Sequence, residues 1–219
     1  NGKINAPDLL SFIKSRNAAK YEEAKQALGE NADKNSLTKT FITEQFKATK
    51  DPQLIRLALE YMPIIFSRRH GDPSRPWNRF NIRLLDENKN PILNYEGNWR
   101  DIFQNWEALL WSYPEYARHA CSLFVNAMTA EGFNPYRISR AGLDWEVPEE
   151  GNPWAQFGFW GDHQVIYLQK ILEFLWKYEG EKFISLLNEG LFSTANIPYR
   201  IKSYGEILKD PRNSIRFDY

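Results

Sequence analysis

Apolar residues recur at helical spacing along most of the chain. Leu9, Leu10, Phe12 and Ile13 follow Pro7 and Asp8, and an Ala/Glu/Lys-rich run continues to Leu28, where Gly29 supplies a stop. Leu37, Phe41, Ile42 and Phe46 make a stripe between Ser36 and Thr49. Asp51-Pro52 opens a further helix through Leu54, Leu57, Ala58 and Tyr61, ended by Pro63. The strongest signal starts at Trp99, where Ile102, Phe103, Trp106, Leu109, Leu110 and Tyr113 complete one apolar face. Pro114 opens the next helix, with Ala117, Ala120, Cys121, Phe124, Val125 and Met128 as its stripe and Gly132 as its end. The short link makes these two an antiparallel helical hairpin. Asp162 caps a helix through Val165, Leu168, Ile171, Leu172, Leu175 and Trp176 that closes at Gly180. Shorter helices follow at 181–191 and 204–209.

Two segments break the helical rhythm. Between residues 70 and 98, Gly71, Pro73, Pro76, Asn88, Asn90, Pro91 and Gly97 exclude a long helix. Phe80, Ile82 and Leu84 alternate as in a strand over 79–85. A turn at 86–90 and a return strand at 91–95 predict a β-hairpin. The second segment, 133–159, is rich in Pro, Gly and Trp and reads as a long functional loop. The expected fold is mainly α, built of antiparallel helical hairpins with one small β-hairpin insertion. Its parts are N-terminal helices over 1–66, the insertion over 70–98 and helical hairpins over 99–219. The chain reads as a single helical domain or as a fragment of a larger catalytic domain. Its start at Asn1 and a tail with no stop device favour the fragment.

Charge narrows the function classes. Twenty-eight basic and 28 acidic side chains cancel, so no bulk field attracts nucleic acid. No apolar run approaches the roughly 20 residues a membrane helix needs. Cys121 is the single cysteine, which excludes an internal disulfide and suits a reducing, cytoplasmic setting. Its place on an apolar stripe makes it a buried, inert thiol. His70, His119 and His163 are too scattered to suggest a metal site, and no cofactor motif occurs. Aromatic residues make up 15% of the chain, and all eight tryptophans lie between Trp77 and Trp176. They either fill a core or line a pocket, where flat rings stack on apolar sugar faces.

Three clusters carry candidate chemistry. Arg100, Asp101, Gln104 and Glu107 share the face of the Trp99 helix that points away from the apolar stripe. They read either as a solvated face or as a ligand grip beside Gly97 and Asn98. Asp144 and Glu146 flank Trp145 and are the candidate acid and base for glycosidic cleavage, a surface turn being the plainer reading. Trp160, Asp162 and His163 mass at a helix start, where Asp162 can cap the helix and accept from sugar hydroxyls.

The order Arg100-Asp101-Ile102-Phe103-Gln104, a helix ending near Pro114, a second helix, a loop and then Gly161-Asp162-His163 resembles the middle of the catalytic domain of cellobiose and chitobiose phosphorylases. More broadly it resembles the six-hairpin glycosidase superfamily, over about residues 95–190. The resemblance implies an (α/α)6 toroid with the sugar site at its mouth. It assigns Asp162 to the non-reducing sugar and Arg100 and Asp101 to the same neighbourhood, with Gln104 near a family polar position. Gly161 replaces a family aspartate, and the family's downstream Trp-Asn-Asp acid motif is missing.

These features predict part of a carbohydrate-active protein acting on glycosidic bonds, by phosphorolysis or hydrolysis. Its substrate-binding residues are Arg100, Asp101, Gln104, Trp160, Asp162 and His163. Its partners are an oligosaccharide or disaccharide, with phosphate as a second candidate, and neither nucleic acid nor membrane. Two rivals stay open: a non-catalytic sugar-binding domain, and a helical scaffold whose aromatics are all core.

Overall fold

Side chains that accept from first-turn N–H groups start three of the N-terminal helices. Asn5 accepts from Asp8 N at 2.9 Å to open α1 (Ala6–Arg16). After α2 (Tyr21–Leu28), Thr38 accepts from Phe41 N at 3.2 Å to open α3 (Lys39–Ala48). Asp51 accepts from Gln53 N at 2.7 Å and Leu54 N at 3.4 Å to open α4 (Pro52–Glu60). The computed structural model describes residues 3–67, 85–145, 165–197, 199–211 and 213–218. A two-stranded antiparallel ribbon, β1 (Lys3–Ile4) with β2 (Leu37–Thr38), ties the module's start to the entry of α3. Leu9, Phe12, Ile13, Leu28, Phe46, Leu54 and Tyr61 belong to one buried cluster that spans Ile4 to Tyr61.

Asp51 has two tasks, because its other oxygen lies 2.6 Å from Lys20 Nζ. That neighbour and the cap N–H groups hold its carboxyl below the usual range, the Lys20 contact contributing most. Asp51→Ala is expected to lower stability by about 1–2 kcal/mol. The urea midpoint should fall with an unchanged slope; an unaltered midpoint would remove the capping role.

A second cluster begins at Met62 and runs to Leu186. Its elements are β3 (Ile65–Ser67), β4 (Asn94–Asn98), α5 (Trp99–Leu110), α6 (Ala117–Asn126), β5 (Arg137–Ser139), β6 (Leu143–Asp144), α7 (Val165–Glu179) and α8 (Glu181–Asn188). The four strands form one sheet in the order β3-β4-β5-β6, with β3 parallel to β4 and the other pairs antiparallel. Strand alternation places Tyr95, Gly97 and Ile138 on the inner face, all buried. A Cβ on Gly97 would lie 2.8 Å from Ile102 Cγ1, so only glycine lets β4 pass this close to α5. At the end of the chain, β7 (Tyr199–Ile201) pairs antiparallel with β8 (Ile215–Phe217) across α9 (Tyr204–Lys209).

The mainly helical fold with small sheets agrees with the periodicity, and four local expectations change. The run from Pro7 to Leu28 is two helices, because Asn17 leaves helical geometry at φ −154° and a 3-10 turn over Ala18–Lys20 redirects the chain. The β-hairpin survives as its turn: Leu85 bridges Pro91, and Asp86 Oδ1 accepts from Asn88 N and Asn90 N at 2.8 Å each. Residues 79–84 of its first strand lie outside the described residues. The return strand starts three residues later than expected, at Asn94, and pairs with β3 and β5 instead. Pro91 offers no N–H for a ladder. The loop predicted over 133–159 contains β5 and β6, whose runs are too short to register as periodic, and its part from 146 onward lies outside the described residues. The helix expected to reach Gly132 stops at Asn126. Thr129 then closes a turn by accepting from Phe133 N at 2.9 Å, with Gly132 inside it at φ +88°.

The two clusters meet along α4 and α6. Glu60 accepts from Arg56 at 2.6 Å on its own helix and from Asn126 Nδ2 at 2.8 Å across the junction. His119 Nδ1 donates to the Tyr61 carbonyl at 2.8 Å. Lys39 donates to the Glu115 carbonyl, and burial lowers its ammonium to about 8.

Candidate functional site

β4 runs into α5 with no intervening loop, Asn98 being the last strand residue and Trp99 the first helical one. Trp99 N donates to Tyr136 O at 2.9 Å, which pins the helix start to the residue before β5. Register then aligns Asn98 with Arg137 and Arg137 with Asp144. Alternation places Glu96, Asn98, Arg137 and Asp144 on the sheet face opposite Tyr95 and Ile138. One face is therefore core, and the other presents a polar row where the helix begins.

Arg137 organises that row. Its guanidinium pairs with Glu96 Oε1 on one side and lies 3.2 Å from Asp144 Oδ2 on the other. Burial is graded along it: the Glu96 side chain is 9% exposed, Arg137 29% and Asp144 49%. A carboxylate–guanidinium–carboxylate array of this kind offers fixed donors and acceptors, deep at one end and open at the other. That suits vicinal hydroxyls. It is a poor acid–base pair, because the space between the two carboxylates is filled by the guanidinium.

The residues singled out in the sequence are distributed as follows. Arg100 and Gln104 are exposed on α5, whereas Asp101 is buried and lies 3.6 Å from the Arg100 guanidinium. The expected common face is thus divided: Asp101 adjoins Ile102 on the flank of the packed stripe and sits one turn before Asn105, which donates to its carbonyl at 2.6 Å. Asp144 reaches the same end of the sheet as the start of α5, through Arg137. Glu146, Trp160, Asp162 and His163 lie outside the described residues. Glu96 and Arg137 were not anticipated. Their only trace in the sequence is the polar–small or polar–apolar alternation of Glu96-Gly97-Asn98 and Arg137-Ile138-Ser139.

The aromatic residues divide between core and surface. Trp99 and Trp106 are fully buried, but Trp111 is 66% exposed and Trp176 52%. The scaffold reading in which every ring is core does not hold. Cys121 is buried, and burial pushes its thiol up to about 12, as expected for an inert core cysteine. Among the described residues no group of three His, Cys, Asp or Glu side chains is placed to hold a metal ion. No helix among them is long and apolar enough to cross a membrane.

Residues 1–63 match the family model of glycoside hydrolase family 149 insertion domain 1. The match coincides with the first buried cluster, Ile4 to Tyr61, so the similarity follows a unit of packing. It covers less than a third of the 219 residues and neither of the motifs, at 100–104 and 161–163, that resemble the phosphorylase catalytic domain. No curated protein matches the chain. The relationship found by comparison is therefore the similarity of the N-terminal module to an insertion domain of glycoside hydrolases.

Proposed function

We propose that this chain is part of a carbohydrate-active protein acting on glycosidic bonds, and that the polar end of the sheet, at the start of α5, holds part of its sugar site. The observation that carries this is the match of residues 1–63 to a glycoside hydrolase insertion domain. The Glu96–Arg137–Asp144 row supports it, because it supplies the paired donors and acceptors a sugar needs. In this reading the helical hairpins after Trp99 belong to a toroid of paired helices. Arg100 and Gln104 extend the row along α5, and Trp160, Asp162 and His163 complete the site. The ligand is a disaccharide or oligosaccharide, with phosphate as a co-substrate if the reaction is phosphorolysis. Asp144 binds, and Glu146 is the remaining acid or base candidate.

The chain lacks the Trp-Asn-Asp acid motif, so binding without turnover is the expected behaviour of the chain alone. A missing general acid costs roughly 10²–10⁴-fold in rate. Glucose- and glucosamine-based disaccharides should be titrated calorimetrically, with and without phosphate, against wild type, Asp144→Asn and Asp162→Ala. Saturable binding that weakens about tenfold in Asp144→Asn is the expected result. Asp144 is half-exposed, so the variant keeps its fold and a circular dichroism spectrum checks this. Folded wild-type chain that binds none of the sugars refutes the site. Turnover by the chain refutes the expectation of binding alone.

A further inference from the structure

The β5–β6 hairpin is too small to hold its own shape. Its own ladder has two bridged pairs, Arg137–Asp144 and Ile138–Leu143, and a two-stranded ribbon alone is at best marginal in water, so its shape depends on the three pairs of β5 with β4 and on the ties of its turn. Its turn is closed locally by Ser139 N donating to Gly142 O at 2.8 Å and Gly142 N donating to Ser139 Oγ at 3.1 Å. The remaining ties of that turn run largely to the other core. Arg16 of α1 donates to the Ser139 carbonyl at 3.0 Å. Arg140 places its guanidinium on Asp8 of α1, 2.8 Å from Oδ1 and 3.0 Å from the carbonyl. The same guanidinium lies 5.8 Å from the Tyr61 ring centre and 6.0 Å from that of Phe12. Tyr61 in turn donates to the other oxygen of Asp8 at 2.5 Å.

We infer that the N-terminal module is a positioning element for the sugar site, acting through the Asp8–Arg140 clasp on the β5–β6 hairpin. The inference rests on the reading of the sheet end as that site. Arg140 and Asp144 occupy opposite ends of one hairpin, and Arg137 lies three residues before Arg140. Strand rise puts the clasp roughly 10 Å from the polar row. A rigid hairpin transmits its placement over that distance. Two further bonds make the clasp a hub: Arg140 donates to the Leu93 carbonyl at 3.2 Å, and its backbone N–H donates to Tyr95 O at 2.9 Å. Module, β4 and hairpin therefore meet at one residue, its side chain only 14% exposed. This gives the module similar to an insertion domain a role at a site to which it contributes no ligand-facing residue. Release of the clasp leaves the hairpin held by its ladder with β4 and the single Arg16 bond, which loosens the placement of Arg137 and Asp144 beside Glu96 and Asn98.

The test uses the whole chain and five proteins: wild type, Asp8→Asn, Arg140→Gln, Arg140→Lys and Asp51→Ala. Amide hydrogen exchange over 137–144 should quicken about tenfold in Asp8→Asn and Arg140→Gln, with α5 and α6 unchanged. Disaccharide affinity should fall about three- to tenfold in the same two proteins. Arg140→Lys, which retains a charge for Asp8 but cannot also reach Leu93 O, should lie between them and wild type. Asp51→Ala loses stability at a remote helix cap and should leave affinity unaltered, which separates positioning from general weakening. Hairpin exchange that is unchanged in Arg140→Gln overturns the inference. So does faster exchange with undiminished sugar affinity. Wild type that binds no sugar fails the site reading itself, and removes the functional half of the inference with it; the exchange data still decide whether the clasp holds the hairpin.

Discussion

Trp99→Ala should lower the stability of the chain by about 3–5 kcal/mol, the range for emptying a buried large aromatic site. Trp99 is fully buried at the junction of β4 and α5. Its ring centre lies 4.6 Å from that of Phe103 and 5.1 Å from that of Phe124, and those two rings are 4.7 Å apart. Phe103 continues the contact to Trp106 at 5.2 Å, and Trp106 to Tyr95 on β4 at 5.2 Å. Removal of the first ring opens a cavity that a strand, two helices and their aromatic side chains cannot easily close. Domains of this size keep a margin of about 5–15 kcal/mol, so the loss is a large share of it. Trp99→Phe should cost far less. The indole Nε1 is buried without an acceptor among the described residues, so phenylalanine loses ring area but also relieves an orphan donor worth about 1–3 kcal/mol. Urea unfolding followed by far-ultraviolet circular dichroism compares the three proteins. An alanine variant within 1 kcal/mol of wild type would show that the aromatic cluster relaxes around the gap.

The same cluster shows why the helices were legible and the site was not. Trp99, Ile102, Phe103, Trp106 and Leu110 are buried as the helical stripe requires. That periodicity is local, and each residue needs only its own neighbours three and four positions away. At the end of the stripe Leu109 and Tyr113 are exposed, because the pattern runs past the edge of the core. The polar row depends on register between β4 and the β5–β6 hairpin, which lie some forty positions apart in sequence. Nothing in Glu96 alone or Arg137 alone announces the other. Asp101 shows the complementary failure: its sequence spacing puts it beside Gln104, yet packing where strand meets helix buries the aspartate and leaves the glutamine exposed. The change of core between Tyr61 and Met62 is silent for a third reason, since both residues are apolar and both are buried, each in its own cluster. Turn chemistry was readable at Asp51 and at Asp86, where one side chain closes bonds within four residues, but not at Thr129, whose turn falls inside the apolar stripe read as helix.

Acid should weaken the junction between the two cores through His119. The imidazole is buried on α6, donates from Nδ1 to the Tyr61 carbonyl, and has no partner for Nε2 among the described residues. Burial, with a smaller push from the Lys39 ammonium, lowers its pKa to about 3. Lys39 and His119 face the same cleft, where Lys47, Arg118 and Glu189 are the other charged groups. The sign follows from where protons bind. Between about 6.5 and about 3 the unfolded chain carries the proton on this histidine and the folded chain does not. The stabilisation is complete above pH 6.5 and drains away as the pH falls toward 3. The slope from this single group approaches 1.4 kcal/mol per pH unit, so a drop from pH 6.5 to 5 removes on the order of 2 kcal/mol. His119→Phe keeps a ring in the space and cannot titrate. It leaves the Tyr61 carbonyl without its donor but also removes the unpartnered Nε2, so two effects of about 1–3 kcal/mol each offset one another in part at pH 7.5. The carboxylates common to both proteins cancel in the difference. Urea midpoints at pH 7.5, 6 and 5 should therefore show wild type losing ground to the variant at each acid step. A constant difference would mean that His119 is accessible to protons in the folded chain. Because the Tyr61 carbonyl and the Asp8–Arg140 clasp belong to one junction, the same acid step should lower amide protection over 137–144, relative to intrinsic exchange at each pH, in wild type more than in His119→Phe.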